Sequence, residues 1–243
     1  MLHAGGQVPD PAAIYTARRA MGLALAQRLA DALPGMMAGL ADAGRYAPDA
    51  LGAGRRALRM VLLALQTRLD GGVVAAAIYA GADNMTEQAA ALACLLDAGA
   101  GQAELAGFAA RWAGDANVMD KWFALQVAMA APDRMAGVAA DLAAHPQFMW
   151  KNPNRFRAVL GPASAHHAGF HAASGAGYRF VADWLIRLDP VNPQTTARMS
   201  TAFETWPRYD AGRQALMRGE IARMAAMPGL SRDLGEMLMR MGG

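Results

Sequence analysis

The chain has 243 residues, 54% of them hydrophobic and 18% charged, with a formal net charge of +3 and a pI of about 9.3. Such a composition excludes a disordered chain, and β-branched and aromatic residues are too sparse for a large sheet. A charge of +3 over this length argues against nucleic acid as the main partner. The longest apolar run, near Met60–Leu65, is far too short to span a bilayer.

Ala, Leu, Met and Arg dominate, and all are good helix formers. The N-terminal stretch MLHAGGQVPDP carries no charged or long apolar region, so residues 1–9 are expected to be a flexible tail and not a signal peptide. Asp10-Pro11 opens a first helix, expected to reach about Leu33, with Ile14, Ala17, Met21, Leu25 and Leu29 along one face. The polar stretch Ala41–Asp49 breaks it. A second helix is expected over Ala50–Leu69 with Leu58, Val61, Leu62 and Leu65 facing inward, and Gly71-Gly72 ends it. A short helix follows to about Ala80.

Asn84-Met85-Thr86-Glu87 has the spacing of a capping box and begins a helix to about Leu96. Cys94 lies inside it, as a small buried apolar residue. One cysteine forms no internal disulfide, which fits a reducing compartment and a cytoplasmic protein. Further helices fit Gln102–Trp112, Val118–Met129, Asp133–Ala144, Pro153–Leu160, Tyr178–Leu188, Pro193–Phe203, Asp210–Met227 and Ser231–Met241. Gly161–Gly177 is the longest weakly patterned stretch. Met217, Met224, Met227, Met237 and Met241 sit at helical spacings and read as core, as do Trp112, Trp122 and Phe123.

About a dozen helices with short breaks predict an all-α fold. The expected architecture is a superhelical, HEAT- or armadillo-like stack of antiparallel helix pairs, one domain over residues 10–243. No linker divides it.

The segment Trp150–Arg157, WKNPNRFR, is the most informative one. Asn152 can cap free backbone N–H groups, and Pro153 suits the first helical position. Arg155 and Arg157 then sit where the helix dipole disfavours a cation by about 0.3–1 kcal/mol, so the spot reads as prepared for an anion. Two residues apart, the arginines point to opposite sides. Arg157 is the candidate for a groove and Arg155 for internal pairing, while Phe156 and Leu160 anchor the helix. A second Asn-Pro start, Asn192-Pro193, is followed by Gln194 and Arg198, consistent with a shared anion site.

Other patterns carry less. His166, His167 and His171 form HHxxxH, but no acidic or Cys ligand lies nearby in sequence, so loop or groove-lining roles outweigh a metal role. His3 and His145 belong to no recognisable sequence motif. HExxH and GxSxG are absent. Gly52-Ala53-Gly54 lacks the strand and the third glycine of a nucleotide loop.

The ordered runs Arg55–Arg59 (RRALR), Asn84–Glu87 (NMTE), Val118–Gln126 (VMDKWFALQ), Asn152–Arg157 (NPNRFR), Phe170–Phe180 (FHAASGAGYRF), Asn192–Gln194 (NPQ) and Arg208–Arg213 (RYDAGR) resemble the C-terminal helical domain of bacterial aminopeptidase N, a zinc metallopeptidase of the gluzincin type. The resemblance covers about Asp10 to the end. It implies a domain that covers the active site of a peptide-hydrolysing enzyme and lines its peptide channel. The zinc-binding HExxH and the amino-group-binding GxMEN would lie on upstream domains, so this chain alone would hold no cofactor and have no activity. By resemblance, Arg157 and Arg198, with Asn154 and Gln194 as neighbours, would meet the distal end of a bound peptide. Its carboxylate would be the anion. Ser174 and Ala176 depart from the family pattern, where more polar residues stand. The implied partners are the catalytic domain and peptides, with neither nucleic acid nor membrane. A stand-alone helical scaffold for a protein partner is the competing reading, and a basic nucleic-acid binder a weaker third.

Overall fold

The structure, a computed structural model, describes residues 5–41 and 46–242. Residues 1–4 of the expected tail, His3 among them, and part of the break at Ala41–Asp49 lie outside the described residues. The described residues form α1 (Pro11–Leu29), α2 (Leu33–Gly39), α3 (Ala50–Asp70), α4 (Val73–Gly81), α5 (Met85–Asp97), α6 (Gln102–Trp112), α7 (Ala116–Ala128), α8 (Met135–Ala143), α9 (Pro153–Ala165), α10 (His167–Phe170), α11 (Ala176–Leu188), α12 (Pro193–Ser200), α13 (Ala211–Ala225) and α14 (Arg232–Arg240). Short 3-10 turns at Thr201–Phe203 and Trp206–Arg208 follow α12, and no strand occurs among the described residues.

Side-chain caps explain why most helices begin where they do. Asp49, Asn84, Asp115, Asn152, Asn192, Asp210 and Ser231 each accept a hydrogen bond from a backbone N–H in the first turn of the helix they precede. Each such cap contributes about 1 kcal/mol. At Asn84 the expected box forms with a variation. The Glu87 carboxylate accepts from the Asn84 side-chain amide and pairs with Arg59.

Three expectations need correction. The first helix stops at Leu29, and Leu33 begins a separate helix with Pro34 in its first turn, where the missing N–H costs nothing. On α3, Leu58 and Val61 do not face inward: they are 47% and 60% exposed. Leu62 is buried as expected and Leu65 packs against the same core, which also takes in Leu63 with Leu33, Met37 and Ala75. The apolar stripe Leu51, Leu58, Val61 and Leu69 lies on the exposed side of this helix, so periodicity pointed away from the buried side. That side carries Arg56, which donates to the Ala47 carbonyl at 3.0 Å and stacks over Tyr46 at 4.6 Å. Finally, α9 continues through Pro162 to Ala165, and α10 follows within the stretch expected to be irregular. Buried Ala163 and a Ser164 Oγ bond to the Leu160 carbonyl support that last turn.

The chain packs as two compact units. One is Thr16–Met129, with cores around Leu33, Leu63 and Ala91 and around Leu92, Phe108 and Val118. The other joins the residues up to Tyr15 to Ala130–Gly243. Here α8 packs on α9, α11 on α12 and α13 on α14, and α11 also contacts α8, α9 and α13. Its core holds Phe156, Phe170, Tyr178, Phe203 and Met217, all essentially without solvent exposure. Of the five methionines read as core, Met217, Met224 and Met241 are buried and Met227 and Met237 half-buried.

Asp189, at the end of α11, is wholly buried. Its carboxylate accepts from the Ser231 backbone N–H at 2.8 Å and the Ser231 hydroxyl at 2.6 Å, and Ser231 in turn caps α14. Asp189→Asn keeps the shape and one acceptor but loses a charge-assisted bond. We expect a loss of about 1–2 kcal/mol in urea denaturation of this chain.

Candidate functional site

The two Asn-Pro starts carry the residues of the candidate site. At α9, Asn152 Oδ1 accepts from the N–H groups of Asn154 (2.9 Å) and Arg155 (3.4 Å). The cap therefore consumes N–H groups that a bare helix end would offer to an anion, which leaves guanidinium groups as the strongest anion ligands there. The structure separates the two arginines as their spacing implies. Arg155 is 3% exposed and donates from Nη1 to the Gln147 carbonyl at 3.1 Å. Arg157 is exposed, on the same side of α9 as exposed Asn154. Phe156 and Leu160 are fully buried and hold the helix to the core.

At α12, Asn192 Oδ1 accepts from the Thr195 N–H at 3.0 Å. Thr196 and Ser200 are buried, and each hydroxyl donates to a carbonyl of the preceding turn, Thr196 to Asn192 and Ser200 to Ala197. Satisfying these hydroxyls internally lets a polar sequence bury that side of the helix. Gln194 and Arg198, one turn apart, are left exposed together. Both α9 and α12 pack on α11, and each carries an exposed arginine.

The histidines divide into different roles. His166 caps α10: its Nδ1 accepts from the Gly169 N–H at 3.0 Å. Nε2 must then carry the proton it donates to the Ala130 carbonyl at 2.9 Å, so the geometry selects the tautomer. His171 is buried. Its Nδ1 lies 2.8 Å from the Tyr178 hydroxyl, and its ring stacks on Tyr209 at 4.0 Å. Burial holds its pKa down at about 3, with the neighbouring His167 and Arg213 adding to the effect. Arg213 fastens the same turn, donating from Nε to the His171 carbonyl at 2.7 Å and pairing with Asp210 at 2.6 Å. Nothing in HHxxxH pointed to this aromatic nest, because Tyr209 lies far along the chain and Tyr178 meets His171 only across the turn between α10 and α11. Among the described residues, no group of three or more His, Cys, Asp or Glu side chains could hold a metal ion. Cys94 is half-buried and packed against the core, and burial pushes its thiol pKa up.

Residues 2–243 match the family model for a domain of unknown function, DUF3458_C, consisting of ARM repeats. The chain belongs to this ARM-repeat family. It is 35% identical over 237 residues to aminopeptidase N of Caulobacter vibrioides and 32% identical over 238 residues to aminopeptidase N of Escherichia coli. In both comparisons 95% of this chain covers 27% of the longer protein. Aminopeptidase N of Haemophilus influenzae matches 65% of this chain at 42% identity, over 18% of its own length. A crystal structure of Legionella pneumophila aminopeptidase A in complex with aspartic acid superposes with a TM-score of 0.87 at 27% identity, covering 96% of this chain and 29% of that one. The matched region thus spans between 18% and 29% of the length of these relatives. These findings bear out the resemblance to the C-terminal domain of aminopeptidase N and the all-α, armadillo-like fold. No described helix of the ARM-repeat domain is long and apolar enough to cross a membrane.

Proposed function

We propose that this ARM-repeat domain serves a zinc-dependent aminopeptidase that removes N-terminal residues from peptides, covering its active site and lining the peptide channel. Arg157 and Arg198, with Asn154 and Gln194, meet the distal end of the peptide, where a guanidinium can hold the terminal carboxylate through two hydrogen bonds. The observation that carries this reading is the exposure of both arginines on helices that share α11 as support, while Arg155 is withdrawn into the core. Zinc, which would activate water for attack on the scissile carbonyl, belongs in this reading to an upstream catalytic domain. The described side chains of this chain offer it no site.

Partnership with that domain has its own support. Leu51, Leu58, Val61 and Leu69 are exposed and fall on one side of α3. A row of large apolar side chains turned to solvent favours burial against another protein surface.

The test uses an aminopeptidase that carries this domain. Arg157→Ala is expected to lower kcat/KM for a tetrapeptide about tenfold, the scale of one charge-assisted contact. An alanine anilide, which has no distal carboxylate, should lose much less. Equal losses on both substrates would overturn the role given to Arg157.

A further inference from the structure

Both starts that carry the arginines are indexed on the last turn of α11. Before α9, the Trp150 ring is tilted against Trp184 of α11 with centroids 6.3 Å apart, and the Arg187 guanidinium lies over both indoles, at 4.7 Å from Trp150 and 4.9 Å from Trp184. Trp184 also meets Phe148 edge-on at 5.2 Å and Phe156 of α9 at 6.2 Å. The buried Arg155 side chain ties the same loop down through the Gln147 carbonyl. Before α12, the Val191 and Asn192 N–H groups both donate to the Leu188 carbonyl, at 2.8 and 2.9 Å, so the cap of α12 springs from the residue after Arg187.

Each cation–π contact of this kind is a modest attraction at a partly solvated site. Two on one guanidinium, joined by three edge or tilted ring contacts, hold the loop before α9 at a fixed place on α11. One short turn then leads from that place to α12. We infer that Trp150, Trp184 and Arg187 form a positioning clamp. It sets the separation between the starts of α9 and α12, and hence between Arg157 and the pair Gln194 and Arg198. These are positioning residues: they act through the wall and do not themselves hold the peptide. The inference rests on the peptide-binding role proposed for that wall.

A double-mutant cycle on an aminopeptidase carrying this domain tests it, with KM for a tetrapeptide and kcat for an alanine anilide as readouts. Trp150→Ala should raise the tetrapeptide KM about fivefold, a coupling of the size measured between groups in contact, while changing the anilide kcat far less. Trp150→Phe, which keeps an aromatic face for Arg187, should restore most of the loss. In an Arg157→Ala background, Trp150→Ala should add almost nothing, because the group it positions is gone. Additive losses in the double variant would overturn the clamp while leaving the role of Arg157 intact. So would a proportional fall of the anilide kcat, the mark of a general loss of folded enzyme. An Arg157→Ala variant with unaltered peptide kinetics would overturn the proposed function itself, and the clamp with it.

Discussion

Replacing Gly177 by Ala should cost at least about 3 kcal/mol of stability, more than most overpacking changes. A Cβ at this position would stand 2.7 Å from both the Phe170 Cα and the Phe170 carbonyl oxygen, and 2.9 Å from the Gly169 carbonyl oxygen. All three are backbone atoms of the α10 region and cannot swing aside as a long side chain would. Gly169 has no room to retreat, since its own Cα faces Met135, where a Cβ would sit 2.8 Å from the Met135 Cβ. The first turn of α11 and α10 therefore meet backbone to backbone, and Phe170, Tyr178 and Phe203 pack around that contact with ring centroids 5.0–6.3 Å apart. Urea denaturation of the chain should show a lower midpoint with an unchanged slope. A loss under about 1 kcal/mol would show that the contact yields easily and that the close approach is not needed. Gly175, two residues earlier, has φ +70 and caps α11 in the left-handed region. Its substitution is strained for an added, conformational reason, beside a Cβ approach of 3.2 Å to the Leu216 side chain.

The second large effect is on pH. His171 has a folded pKa of about 3 against an ordinary value of 6.5, because burial beside Tyr178 and Tyr209 disfavours the imidazolium. Below about pH 6.5 the unfolded chain takes up this proton while the folded chain does not, so stability is full above that pH and falls as the pH drops toward 3. Between pH 7.5 and 4.5 the loss should reach about 2–3 kcal/mol, from about 1.4 kcal/mol per pH unit below 6.5. Asp210 lies in the same nest, but its bonds to Arg213 hold its carboxyl below the usual 3.8, so it contributes little in this window. The measurement is the urea midpoint as a function of pH. His171→Asn, which keeps a polar partner for the Tyr178 hydroxyl, should be less stable at neutral pH and lose most of this slope. A slope that persists in the variant would assign the titration to another group.

Much of the local structure was legible in the chain. Asn84, Asn152 and Asn192 cap their helices as their spacing implied, because a cap is a bond between neighbours a few residues apart. The opposed fates of Arg155 and Arg157 follow from helical geometry once Phe156 and Leu160 are taken as the anchoring side. The buried face of α3 was not legible. Leu51, Leu58, Val61 and Leu69 form an apolar stripe on its exposed side, and only packing against α2, α4 and α5 decides that Leu63, on another side, goes inside with Leu62. The run Gly161–Gly177 misled for a related reason. Glycine and proline weaken a helix signal, yet Pro162 is carried inside α9, and Gly169 and Gly177 are there to let backbones touch.

By itself, then, the sequence determined that this is an all-α chain, where most of its helices start and which arginine of NPNRFR turns outward, since each depends on composition or on partners within a few residues. The tertiary structure decided what depends on residues distant in the chain. That includes the nest joining His171, Tyr178, Tyr209 and Arg213, the Asp189 tie to Ser231, and the meeting of Trp150 with Trp184 and Arg187. Their energies come from burial and ring contacts that reach beyond the neighbouring helical turn, up to 42 residues along the sequence, and no local pattern encodes such a meeting.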